Sequence, residues 1–326
     1  MTTFNSPFRE ELKNFLSLRQ ASLSKSAYDH DCHYLSDFDK FAYRYTNEKF
    51  VSEALINSWI NSLKGKRSSI ANQVIVIRIF MKYLNSSGIS AYIPPIPKVY
   101  DDYVPYIFSD NELERIYLQA DNLDVSKMKK NPLIKYEFPM VIRLMHGCGL
   151  RIGETLALKM KDVNLHDGIL NMRHTKNDKQ RLVPMNDFLT DVLKRFCTAM
   201  GLVGVPDAWL FPVYGRDEPM TPKDAQHCFE KILHLANISL PLRKKHERGP
   251  CLHCIRHVFV FKSFIAAEKA GRKIDDSVPY LSIYLGHDSL KETEKYMKFS
   301  SELFPEAMEL FSDYSSDVFP EVTYET

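Results

Sequence analysis

The chain is poor in the features that mark several large classes of protein. No uninterrupted apolar run approaches the ~18 residues that a membrane-spanning helix needs, and no membrane partner is expected. The opening stretch, MTTFNSPFREELKNF, carries acids and no apolar h-region, so it does not read as a secretory signal. Six cysteines in 326 residues are too few for a disulfide framework, and the simpler setting is a reducing cytoplasm. There is no G-x-x-x-x-G-K-[ST] loop, so no nucleotide-hydrolysing phosphate cradle is present. Internal repeats and low-complexity tracts are absent too. What is left is an ordinary soluble composition, 44% hydrophobic, in a length that suggests two domains.

The net charge of +2 hides an uneven distribution. After residue 300 there are seven acids and no Lys or Arg, leaving 43 basic against 34 acidic groups before it, a balance of +9. A basic body with an acidic tail suits a polyanionic partner, because Lys and Arg that neutralise phosphates release counterions.

Residues 7–92 read as helices throughout. Tyr28, Leu35, Phe38, Ala42 and Tyr45 fall near helical spacing, Trp59 sits in a short helix, and Ile70, Val74, Ile77, Met81 and Leu84 form a packing stripe. Lys64, Lys66 and Arg67 precede that stripe, and Arg78 and Lys82 flank it. These cations are either solvated or placed to grip DNA phosphates. Residues 93–105 hold four prolines without helical rhythm and read as an interdomain linker. Ser109 and Glu112 then form a capping box, and a helix over about 137–147 leads into HGCGLRIGE. GILNMR and RLVPM, on either side of TKNDKQ, predict a hairpin or small sheet. Helical patterns return at 186–200, 222–236, 251–270, 278–285 and 302–313. The predicted fold is therefore mainly α with a small β-sheet or hairpin.

Arg151 lies between a glycine turn and a new helix, with Glu154 one helical turn on. That pair is a structural ion pair or an oriented anion-binding arginine. Gly147, Gly149 and Gly153 give G-x-G-x-x-x-G after a helix, the wrong spacing and context for a dinucleotide fingerprint. The hairpin tip offers Lys176 and Lys179, then Arg181. CLHCIRHVF places His253 and Arg256 three apart on one helix. Its Cys251-x-x-Cys254, near His246, His253 and His257, invites a zinc reading, but no second cysteine pair completes a four-ligand spacing, so no metal is assigned. Lastly, LGHDSLKETEKYMKF sets His287 before a helix capped by Ser289 and Glu292, with Tyr296 seven residues beyond the cap.

Arg151 in GLRxxE, Lys176 in TKNDKxRxVP, His253-x-x-Arg256-His257, Leu285-Gly286-His287 and Tyr296, in that order, closely resemble the tyrosine recombinases of the phage-integrase family. The resemblance spans residues 106–300 as motif. Residues 1–92 match only as the helical core-binding, DNA-gripping domain that the family usually carries upstream. It implies a catalytic domain over 106–300, a Pro-rich linker over 93–105, and an acidic tail over 301–326 with an amphipathic helix carrying Phe304, Ala307, Met308 and Phe311. It also implies site-specific recombination at a double-stranded DNA site. Tyr296 attacks a phosphodiester to give a 3′-phosphotyrosyl link and a free 5′-hydroxyl, which strand exchange and religation then consume without ATP or metal. Arg151 and Arg256 clamp the phosphate, His287 adds a hydrogen bond, His253 accepts the tyrosine proton and Lys176 protonates the leaving oxygen. Glu154 supports the site by holding Arg151 or His253. Lys64, Lys66, Arg67, Arg78, Lys82, Lys179 and Arg181 bind DNA.

The same resemblance implies no cofactor, mobile-element integration or excision as the errand, and a homotetramer on paired sites, coupled through the C-terminal helix. It leaves room for accessory DNA-bending proteins. The rival readings are a type IB topoisomerase-like nicking and resealing enzyme, and a catalytically silent DNA-binding protein that keeps the fold. A zinc-dependent regulator built on Cys251 and Cys254 is the third.

Overall fold

A computed structural model describes residues 3–99, 106–124, 131–173, 180–238, 249–287 and 289–294. The chain divides into two compact units, Met1–Tyr103 and Val104–Thr326. The division falls inside the proline-rich segment. No helix among the described residues is long and apolar enough to cross a membrane.

Among its described residues the first unit has four helices: α1 (Arg9–Ser22), α2 (Lys25–Tyr45), α3 (Glu53–Ser62) and α4 (Arg67–Ser86). Ser24 and Ser52 cap α2 and α3, accepting from the backbone N–H groups of Ala27 and Leu55. The expected stripe on α4 is packing: Val74, Ile77, Met81 and Leu84 are fully buried, with Phe80 beside them. They meet Leu12, Leu35 and Phe38, and Phe38 stands edge-on to Trp59 at 5.5 Å. Asp39 is buried because it accepts from the backbone N–H groups of Asn5 and Ser6, at 2.9 and 3.0 Å. Lys64, Lys66, Arg67 and Lys82 are exposed. Arg78 is half-buried and donates to the Pro94 carbonyl.

The second unit starts with α5 (Asp110–Asp121), whose Ser109–Glu112 capping box forms as expected. It continues through α6 (Ile134–Cys148), α7 (Ile152–Leu156) and a 3₁₀ turn at Met160–Asp162. A three-stranded antiparallel sheet follows, ordered β1 (Val163–Asn164), β2 (Ile169–Met172) and β3 (Arg181–Pro184). Leu170 opposite Val183 sets its register, both buried against the core. Then come α8 (Asp187–Ala199), α9 (Pro222–Leu235), α10 (Leu252–Lys269), α11 (Ile274–Leu285) and α12 (Leu290–Glu294). The core gathers Phe138, Val141 and Met145 of α6, Phe229 and Ile232 of α9, and Ile255 and Val258 of α10. The fold is mainly helical with one small sheet. The helix predicted at 278–285 starts four residues earlier, at Ile274, with Asp275 and Asp276 in its first turn, where acids suit the macrodipole, and Pro279 inside it. The C-terminal helix expected at 302–313 lies outside the described residues.

Candidate active site

Two helix ends build the site. α6 stops at Gly149, in the left-handed conformation at φ 60°, and α11 stops at Gly286, also left-handed at φ 65°. At Gly149 a side chain is excluded by space as well, since a Cβ would lie 2.3 Å from the Phe259 ring. Carbonyls at a helix C-terminus have no intrahelical donor and carry the negative end of the macrodipole. Here they face arginines.

Arg256, on α10, is fully buried. Its Nη1 donates to the Gly149 carbonyl at 2.5 Å, and its Nη2 donates to the Leu285 carbonyl at 3.0 Å. Arg151, the N-cap of α7, sends Nη1 to the Leu285 and Gly286 carbonyls at 3.4 and 3.3 Å. Its side chain stays 29% exposed, the accessible guanidinium of the two.

Glu154 balances the charge. Its carboxylate accepts from Arg151 Nη1 at 3.0 Å and from Arg181 Nη2 at 2.8 Å, and also from the Arg151 backbone N–H. Burial alone would raise its pKa. Hydrogen bonds and charge from Arg181, then Arg151, outweigh that and hold the carboxyl below the usual range. Glu154 does not reach for His253; its second partner is Arg181. That departs from the expected place of Arg181 among the DNA-gripping cations. Arg181 shares the inward face of β3 with Val183, is 9% exposed, and also donates Nε to the Tyr284 carbonyl at 2.9 Å. Its guanidinium is committed to Glu154 and the end of α11.

His287 follows the α11 turn. Arginine can only donate, so the 3.0 Å contact from Arg256 Nη2 makes His287 Nε2 an acceptor. The proton then sits on Nδ1, which donates to Thr293 Oγ1 at 2.6 Å on α12. Burial first, then the charges of Arg256, Arg151 and Arg181, push the His287 pKa down to about 3, so the ring is neutral. His253 is exposed in the first turn of α10, its ring 4.6 Å from that of buried His257. Burial, then the charges of His253 and Arg256, push His257 down to about 3 as well. Arg151, Arg256, His287 and Glu154 thus converge, and His253 lies on the same helix as Arg256. Lys176, Lys179 and Tyr296 lie outside the described residues. Sequence reasoning missed Thr293 and the inward turn of Arg181, although the alternation of Arg181 with Val183 was available as a signal. No group of metal-ligating side chains is found among the described residues.

The mainly helical unit, with arginines held at two helix ends, fits the resemblance to the tyrosine recombinases, and the comparisons show the family. The phage integrase family model matches residues 107–302, so the chain belongs to that family, the tyrosine-type site-specific recombinases. It is 25% identical over 310 residues to tyrosine recombinase XerA of Pyrococcus horikoshii, covering 94% of this chain and 93% of that one. It is 29% identical over 258 residues to a putative integrase/recombinase, y4rB, of Sinorhizobium fredii, covering 75% and 78%. In fold it resembles the XerH site-specific recombinase bound to a palindromic difH substrate in a post-cleavage complex. There the TM-score is 0.69 at 19% identity, covering 92% of this chain and 84% of that one.

Proposed function

We propose that the chain cuts and rejoins duplex DNA at a specific site through Tyr296, forming a 3′-phosphotyrosyl link and a free 5′-hydroxyl, without ATP or metal. The observation that carries this reading is the pair of arginines, Arg151 and Arg256, fixed by helix-end carbonyls and Glu154. A phosphodiester gains charge on its non-bridging oxygens as it is attacked, and preorganised donors act where that charge develops. Each such donor is typically worth ~3–4 kcal/mol of barrier. His287, neutral and anchored through Thr293, orients Arg256 and adds a hydrogen bond to the phosphate.

A tyrosine with an ordinary pKa near ~10 is protonated at neutral pH and must lose its proton on attack. His253, exposed beside the arginines, accepts that proton, a role typically worth roughly 10²–10⁴-fold. Lys176 protonates the departing 5′-oxygen. In the upstream unit, Lys64, Lys66, Arg67, Arg78 and Lys82 hold the DNA, and Lys179 adds to the grip from the hairpin. Lys66 and Arg67 stand at the N-terminus of α4, where the macrodipole disfavours cations. A DNA phosphate offsets that cost.

Residues 1–92 serve as the DNA-gripping domain, 93–105 as linker and 106–300 as catalytic domain. The acidic tail, 301–326, docks on a neighbouring copy in a tetramer on paired sites. A lambda integrase tetramer bound to a Holliday junction, with a TM-score of 0.64 at 14% identity and covering 90% of this chain and 78% of that one, shares the fold. The biological errand is integration or excision of a mobile element, in the cytoplasm. The test is a nicked suicide substrate. Wild-type protein is expected to form a covalent adduct that maps to Tyr296, and Tyr296→Phe to bind the same DNA without one. An adduct on another residue overturns the reading.

A further inference from the structure

Cys251 and Cys254 are absorbed by none of this chemistry. Cys251 is the N-cap of α10 and is half-buried; Cys254 is fully buried in the first turn. Both are thiols, and their sulfurs stand 3.6 Å apart. The Cys254 backbone N–H donates to the Cys251 carbonyl at 2.9 Å, which fixes the two residues on one turn. Only Leu252 and His253 separate them, and Arg256 follows two residues on. Of the other four cysteines, Cys148, Cys197 and Cys228 are buried and act as small apolar fillers, and Cys32 is half-buried on α2.

We propose that Cys251 and Cys254 form a reversible dithiol–disulfide pair that slows DNA cleavage when oxidised. The pair already lies in contact, and a bond requires the sulfurs to close from 3.6 Å to about 2.05 Å. The oxidant is a low-molecular-weight disulfide, such as oxidised glutathione. The Cys251 thiolate attacks one of its sulfurs, that S–S bond breaks, and one glutathione leaves and takes up a proton. Cys254, a buried thiol, then gives up its proton as its sulfur attacks the Cys251 sulfur of the mixed disulfide and expels the second glutathione. Two protein thiols are oxidised and one external disulfide is reduced to two thiols. Their protons pass to the departing glutathiones.

Half-buried Cys251 is the member that an incoming disulfide reaches; buried Cys254 resolves the adduct. Closing the bond draws the first turn of α10 onto its cap, and His253 is inside the closed ring. Displacement of a reacting group by about 1 Å costs up to ~10²-fold in rate. The rate effect rests on the proposed role of His253; the disulfide itself does not.

The test treats the full chain with excess oxidised glutathione. Trypsin releases both cysteines in one peptide, Gly249–Arg256. The expected result is that this peptide loses two hydrogens and keeps no glutathione, and that suicide-substrate cleavage falls by about tenfold or more. Dithiothreitol should restore both, Cys251→Ser should keep its rate under oxidant, and Cys254→Ser should instead hold one glutathione on Cys251. A wild-type peptide that keeps its thiols or holds a lasting glutathione adduct overturns the proposal, as does an oxidised protein that cleaves at the reduced rate. If reduced wild type forms no DNA adduct at all, the recombinase mechanism fails instead. Hydrogen exchange over residues 252–257 then decides the pair: slower exchange on oxidation supports it, unchanged exchange overturns it.

Discussion

Lys64, Lys66 and Arg67 of the first unit stand exposed around the start of α4, whereas Arg181 and Arg256 of the second are almost wholly withdrawn from solvent, with Arg151 between these extremes. The residue types are alike and the physics is opposite. An exposed cation near a polyanion acts through counterion release, additively and in proportion to its number. A buried guanidinium has already lost its water, so its donors must be satisfied and its geometry fixed. In this fold, the carbonyls of Gly149 and Leu285 and the carboxylate of Glu154 do both. On the proposed function, the first kind of cation sets how tightly DNA is held and the second acts on the phosphate once it is there.

Substitutions that exchange one behaviour for the other test the distinction. The largest effect is expected at Arg256. Arg256→Ala leaves the Gly149 carbonyl without this donor and the Leu285 carbonyl with only its longer bond from Arg151, opens a cavity, and is expected to lower unfolding stability by about 3–5 kcal/mol, read by denaturant melts. Cleavage should vanish with it. Glu154→Gln comes next. It keeps the shape but removes the carboxylate that Arg151 and Arg181 share, leaving Glu292, 4.0 Å from Arg151 Nη2, as the remaining counter-charge, and should lower single-turnover cleavage by roughly 10²-fold with DNA affinity little changed. An affinity loss as large as the rate loss would place Glu154 in the grip rather than in the reaction.

In the first unit, Lys66→Ala and Arg67→Ala should each weaken binding on every DNA sequence and flatten the salt dependence by about one unit of slope. The intrinsic cleavage rate of bound DNA should be unaffected. A sequence-dependent loss would show that these residues read bases.

The smallest effect concerns Glu137, fully buried on α6, where burial raises its pKa to about 7 despite a hydrogen bond from Asn131. Its folded pKa is above the unfolded one, so its contribution to stability is fully present below about pH 4.5 and is lost as the pH rises through about 7. Glu137→Gln keeps the Asn131 contact and should raise stability above pH 7 by ~1–3 kcal/mol, with no gain near pH 4.5. The buried histidines run the other way. His257 and His287 have folded pKa values depressed to about 3, so their contribution is lost as the pH falls below about 6.5.

Much of this was legible in the residues, for identifiable reasons. The α4 stripe, the capping box at Ser109 and the strands flanking TKNDKQ are local patterns, and each formed at its expected place. The convergence of Arg151, Arg256 and His287 was legible as an ordered set of motifs, although 136 residues separate the first from the last. What pattern reading does not supply is the partner across that distance. Arg181 looked like another hairpin cation because its neighbours are lysines; only the alternation with Val183 hints that it points inward. The tautomer of His287 depends on Arg256 on one side and Thr293 on the other, and no spacing rule connects those three. The beginning of α11 was placed four residues late, at 278 rather than Ile274.

On the proposed function, Arg151 and Arg256 work by neutralising charge that grows on the phosphate. Arg151 gives the most direct measurement, because it is partly exposed and Glu154 keeps Arg181 when it is removed. Single-turnover cleavage by wild type and Arg151→Ala should be compared on a normal DNA site and on one whose scissile phosphate is a neutral methylphosphonate. The account predicts a loss of roughly 10²–10³-fold on the charged phosphate that shrinks to a few-fold on the neutral one. An equal loss on both would contradict it.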